Sequence, residues 1–244
     1  MLLEKNISLK FKRPSKLSDP YNDFDSESLS SLLKVNDHEM GRSEYSALFG
    51  PHLPAGTYEE LMYFLPKAFA YLKENESDAL DLVSTILGFC SKNLERLQQD
   101  SLDLLIEEKI TDCLEHWVRD FRIEHFDRQM CEAKGWRLNY FDYVHNTETI
   151  CEALTDLVRF ETLKPLAVEF VKTLAVHDGN IVKASWLLAL SRARFDTYNP
   201  PDCSEIQHLL SDEGILLEAY AVVWPEAEDY RLTYWRDTFK KLGL

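Results

Sequence analysis

Two fragments of this 244-residue chain have metal-ligand spacing, Glu205-x-x-His208 and Asp142-x-x-His145. A carboxylate and an imidazole three residues apart share one helix face, as di-iron bundles require. Such bundles need two Glu-x-x-His pairs and two further glutamates on long facing helices. Here one fragment falls in a short segment after Pro200-Pro201, and the other lies outside any helical pattern. Both read as surface residues, and no metal or other cofactor is expected. Cysteine is the next reactive type. Cys90, Cys113, Cys131 and Cys151 sit within helical apolar patterns, and Cys203 does not. An odd number at wide spacings, with no C-x-x-C, reads as buried thiols in a reducing compartment. Phosphate cradles of the G-x-G-x-x-G and G-x-x-x-x-G-K-[ST] kinds are absent, as are H-E-x-x-H and G-x-S-x-G. The chain therefore reads as non-enzymatic.

What remains is the chemistry of recognition. Gly135 to Tyr143 interrupts the helical pattern and carries Trp136, Arg137, Tyr140, Phe141 and Tyr143. Aromatics and arginine dominate interface energetics, although the same residues can cover the ends of flanking helices. Carboxylates gather at the junctions between helices: Glu74, Glu76, Asp78 and Asp81; Asp100, Asp103, Glu107 and Glu108; Glu226, Glu228 and Asp229. Acids near helix N-termini favour the macrodipole, which accounts for part of each cluster. It does not account for 42 Asp and Glu against 27 Lys and Arg, a net charge of −15. An acidic surface steers a cationic protein toward it. The residues expected to meet a partner are thus Trp136, Arg137, Tyr140, Phe141 and Tyr143, with Glu74, Glu76, Asp78, Glu226, Glu228 and Asp229. Between Glu115 and Arg128 the i,i+4 pairs Glu115–Arg119 and Glu124–Arg128 read as a salt-bridged, solvated helix face.

The charge also excludes partners. Phosphate neutralisation needs Lys and Arg surfaces, so direct binding to nucleic acid or to an anionic membrane is not expected. The longest apolar runs, such as Trp186 to Leu190, are too short to span a bilayer. Lys5, Lys10, Lys12, Arg13 and Lys16 precede no apolar stretch of the signal-peptide kind, which places the protein in the cytoplasm.

The elements that must position these groups are almost all helical. Residues 1–50 read as an N-terminal arm, basic and then acidic and Ser-rich. It has one short strand where Ile7, Leu9 and Phe11 alternate with polar residues, and a short helix around Leu29, Leu32 and Leu33. Residues 51–244 read as a single helical domain. Thr57-Tyr58-Glu59-Glu60 is a capping box opening a helix that Pro66 should kink. Further helices start near Ser77 and Ser101, the latter running toward Gly135, and again near Thr147. Pro165 suits a first helical turn. His177-Asp178-Gly179-Asn180 is turn chemistry, and Ile181–Phe195 is apolar nearly all round, the mark of a central helix. Short helices follow over Ser204–Leu210 and Gly214–Val223, and Pro225 opens the last, to about Lys241. The expected fold is all-α, eight or nine helices stacked in antiparallel pairs.

One segment resembles a known group. Leu48-Phe49-Gly50-Pro51-His52-Leu53-Pro54-Ala55-Gly56-Thr57-Tyr58-Glu59-Glu60, leading into the apolar helix Leu61–Leu72, is similar to the start of the first helix in small acidic helical immunity proteins of bacterial toxin systems. The resemblance covers residues 48–72 and carries no functional residue with it. It implies a non-enzymatic protein that neutralises a cognate, basic toxin, such as a nuclease, by occluding its active site. The alternatives are a helical adaptor for an endogenous partner and, from a different class, a helical metalloenzyme.

Overall fold

The computed structural model describes residues 2–19, 24–50, 55–74, 79–120, 150–196, 201–223 and 240. Among the described residues there are helices and no strand, an all-α composition. Contacts divide it into two compact units, Met1–Leu114 and Glu115–Leu244. The first holds α1 (Leu2–Lys10), α2 (Ser26–Lys34), α3 (Arg42–Phe49), α4 (Tyr58–Met62), α5 (Leu65–Glu74), α6 (Ala79–Lys92) and α7 (Leu94–Gln99). Helix α8 (Asp103–Asp120) starts in the first unit and crosses the division. The second holds α9 (residues 150–157), α10 (Lys164–Ala175), α11 (Ile181–Asp196), α12 (Ser204–Leu209) and α13 (Glu213–Val223). Thirteen helices among the described residues exceed the eight or nine expected: two expected helices are each broken in two, and α1 and α3 form where no helix was expected.

The expected strand is helix α1. Alternation over Ile7, Leu9 and Phe11 would put all three on one face of a strand. Instead Leu3 and Ile7, four apart, are buried together, while Leu9 is 70% exposed. The helical spacing prevails because it gives the segment two core residues on one side. Within residues 1–50, Leu17, Met40, Tyr45, Leu48 and Phe49 are all buried.

Each break has a local cause. Pro66 does not kink a continuous helix. The regular hydrogen-bond ladder breaks at Tyr63 and Phe64, where the Phe64 amide donates to the Leu61 carbonyl at 2.9 Å, and Pro66 becomes the second residue of α5, where its missing N–H costs nothing. Between α6 and α7 the Asn93 Nδ2 donates to the Phe89 carbonyl at 2.9 Å, a side chain competing with the backbone ladder. Ser101 does not start α8; it ends α7. It takes φ +58°, and the Leu102 amide reaches back to the Leu97 carbonyl at 2.9 Å. This is the left-handed termination usually given to glycine.

In the second unit α11 is the centre. Residues Ala184 to Ser191 are buried without exception, so this helix hides its whole circumference there. It packs chiefly against α13 and α10. Asp178 and Gly179 both have positive φ, 48° and 78°, and the Asn180 amide donates to the His177 carbonyl at 2.7 Å. These are the features of a type I′ turn. Asn180 Oδ1 then accepts the Lys183 amide at 3.1 Å and caps α11. The expected helical extension to Lys134 and Gly135, and nearly all of the helix expected from Pro225, lie outside the described residues.

Candidate partner-binding surface

The first question is which carboxylates the fold itself uses. Three in the first unit are taken by the N-terminal segment. Asp100 receives Lys10 Nζ at 3.2 Å and the Tyr58 hydroxyl at 2.8 Å, and its backbone carbonyl accepts the same Lys10 at 2.7 Å. Asp37 accepts Arg13 Nη1 at 2.7 Å and the Tyr63 hydroxyl at 2.5 Å. The second guanidinium nitrogen of Arg13 donates to the Leu33 and Val35 carbonyls at the C-terminal end of α2. Glu60 accepts from the Ser18 amide and hydroxyl, both at 3.0 Å, and from the Thr57 amide at 2.8 Å. The capping-box glutamate therefore also anchors a segment 42 residues earlier. Burial alone would raise its pKa. The donors on Ser18 and Thr57 outweigh burial and hold the carboxyl below its ordinary value.

Other acids have structural partners too. Glu59 pairs with Arg96, whose guanidinium lies over the Tyr58 ring. Asp103 sits in the first turn of α8, where it complements the helix dipole. Glu107 is buried, and its Oε2 meets no hydrogen-bond donor among the described residues. Burial, and secondly the Asp103 carboxylate one turn away, push its pKa up. Glu59 and Asp103 support the fold, whereas Glu107 is a buried, unsatisfied carboxylate that weakens it.

A different surface combines free charge with apolar area. Helix α13 buries Leu216, Ala219 and Val223 on one side. On the other side Glu213, Gly214, Leu217, Glu218 and Ala221 are exposed at i, i+1, i+4, i+5 and i+8 spacing, one continuous stripe. Leu217 is 45% exposed in the middle of it, between two glutamates. Asp212 begins the helix, accepting the Ile215 amide at 3.0 Å through its side chain. The stripe thus has one exposed leucine bordered by carboxylates.

Of the residues expected to meet a partner, Glu74 is the last residue of α5 and is exposed. Glu76, Asp78, Trp136, Arg137, Tyr140, Phe141, Tyr143, Glu226, Glu228 and Asp229 lie outside the described residues. Sequence reading missed Glu213, Leu217 and Glu218. The available signal was that 213–223 is more apolar than one buried face requires.

Glu205 is held by Lys172 at 2.6 Å, and His208 stands exposed, 4.0 Å from Asp212. Among the described residues no group of three or more His, Cys, Asp or Glu is placed to hold a metal ion. Asp142 and His145 lie outside the described residues. Cys90, Cys151 and Cys203 are buried. Cys113 is partly exposed; burial first, and the Asp112 carboxylate second, push its thiol up to about 11. It is therefore almost entirely protonated at neutral pH, a poor nucleophile. No helix among the described residues is long and apolar enough to cross a membrane. Comparisons with protein-family models, with curated proteins and with solved structures find no match.

Proposed function

We propose that this protein is a binding protein for a basic protein partner, and that it works as an immunity protein which neutralises a cognate cytoplasmic toxin by covering its active site. The observation that carries the reading is the outer stripe of α13, where Leu217 stands between Glu213 and Glu218 on a helix whose inner side is fixed in the core. Acid excess is spread over both units: residues 1–114 carry 20 Asp and Glu against 12 Lys and Arg, and residues 115–244 carry 22 against 15. A nuclease-like toxin presents a cationic cleft, and carboxylates can stand there in place of phosphates. The sequence continues from α13 to Glu226, Glu228 and Asp229, which extend the same anionic character. Trp136 and Tyr140 belong to the proposed contact set as aromatic anchors. Stacked antiparallel helix pairs are the scaffold that this reading assigns to both units.

The test is co-expression with the toxin encoded beside the gene. The wild-type chain should rescue growth. Leu217→Ser with Glu218→Lys, and separately Trp136→Ala, should lose rescue while keeping the wild-type circular dichroism spectrum. Rescue by every variant would remove these residues from the contact. Failure of the wild type to rescue would favour an adaptor with an endogenous partner.

A further inference from the structure

The first unit holds a second feature, an open-mouthed cavity of about 210 Å³ between α1, α5 and α8. Its volume exceeds the roughly 150 Å³ that admits a benzene ring. It falls short of the roughly 300 Å³ at which drug-sized pockets begin. A single ring or a branched chain fits; a nucleotide does not.

The walls divide by chemistry. Leu3, Pro66 and Phe69 form an apolar side, with Leu3 and Phe69 themselves fixed in the core. Lys109 and Asp112 face the cavity but satisfy each other at 2.8 Å. That leaves Glu4 and Lys73, of opposite sign, both exposed where they line the cavity mouth and both without a hydrogen-bond or ion-pair partner among the described residues. No ion pair joins the two across the cavity. The four charged groups sum to zero, which disfavours a ligand with net charge of either sign.

We propose that this cavity binds a small zwitterion with an apolar side group, the class of free apolar α-amino acids. The ligand carboxylate meets Lys73, its ammonium meets Glu4, and its side group lies on Leu3, Pro66 and Phe69. A simple carboxylate would leave Glu4 repelling it, and a simple amine would leave Lys73 doing so. The inference is independent of the α13 surface, which belongs to the other unit.

Cys113 lines the same cavity and supplies a local reporter. The full-length chain is exposed for hours to iodoacetamide at about pH 7.5, where L-phenylalanine is a zwitterion and the small thiolate fraction of Cys113 still reacts slowly. The Cys113 peptide is then quantified by mass spectrometry against increasing L-phenylalanine, 3-phenylpropionate or 2-phenylethylamine. L-Phenylalanine should protect Cys113 saturably. Each of the other two, lacking one charge, should need about ten-fold higher concentration. Lys73→Gln should weaken protection by L-phenylalanine by about ten-fold. Ala70→Phe, at an exposed position on the rim, places a ring in the cavity and should abolish protection without altering the fold. Absence of protection up to ~20 mM, beyond the millimolar affinity of so small a ligand, overturns the proposal. Equal protection by all three compounds overturns it as well.

Discussion

Replacing Glu60 with alanine removes three accepted hydrogen bonds at once, from the Ser18 amide, the Ser18 hydroxyl and the Thr57 amide. Loss of the cap on α4 costs about 1 kcal/mol. The two Ser18 bonds reach a half-exposed carboxylate, so each contributes about 0.5–1 kcal/mol rather than the larger values of buried charged pairs. The total is about 2–3 kcal/mol, or a roughly 30- to 160-fold loss of protection against local opening. All five tryptophans lie between Trp117 and Trp235, in the second unit, so indole fluorescence does not report this event. Amide hydrogen exchange on peptides covering 11–19 and 55–62 does. Glu60→Gln, which keeps one accepting oxygen, should lose about half as much. The sign of the pH effect is fixed by the lowered pKa of Glu60. Its contribution is complete above the ordinary carboxylate value and is lost as pH falls through the lower folded-state value. Wild type and Glu60→Ala should therefore converge in acid. A change in exchange below three-fold at neutral pH would refute the claim that this side chain anchors the N-terminal segment.

Other outcomes follow from single positions. Ser101→Gly relieves a left-handed serine that ends α7 and should stabilise the first unit by about 1 kcal/mol, read by urea denaturation; a destabilisation would mean that the serine hydroxyl matters more than the backbone. Glu107→Gln should stabilise by about 1 kcal/mol at pH 7, because it removes a carboxylate whose pKa burial has raised. That gain should vanish toward pH 4 as the wild-type side chain takes up its proton, and a pH-independent effect would contradict the assignment. Cys113, with its thiol at about 11, should alkylate roughly 200-fold more slowly at pH 8 than an unperturbed cysteine; a free-cysteine rate would disprove its burial.

The sequence carries the local structure well and the long-range contacts poorly. The unbroken apolar stretch of α11, Pro165 at the first turn of α10 and the positive-φ turn at Asp178-Gly179 are all local signals, and the structure follows them. Where two local signals compete, only packing decides. The short alternation at Ile7, Leu9 and Phe11 yields to the helical pair Leu3 and Ile7 because the helix buries that pair. Helix ends at Asn93 and Ser101 depend on one side-chain bond and one unusual dihedral, neither of which leaves a periodic trace. Nor does any pattern reveal that Asp37, Glu60 and Asp100 reach back 24, 42 and 90 residues to the N-terminal segment. For the partner surface, an acidic chain was plain from composition, but composition does not separate carboxylates that hold the fold from those left over. Glu213, Leu217 and Glu218 stand out only once the buried side of α13 is known.

The central claim is that an acidic–apolar surface binds a basic protein, and one experiment addresses it directly. The tagged chain and its Leu217→Ser/Glu218→Lys variant are used side by side to capture partners from the native host, with washes at low and high salt and mass spectrometry of the retained proteins. The account predicts a stoichiometric basic protein, encoded by a neighbouring gene, held by the wild type through high salt and lost by the variant. The same proteins retained equally by both chains, or only salt-sensitive ones retained by either, would contradict it.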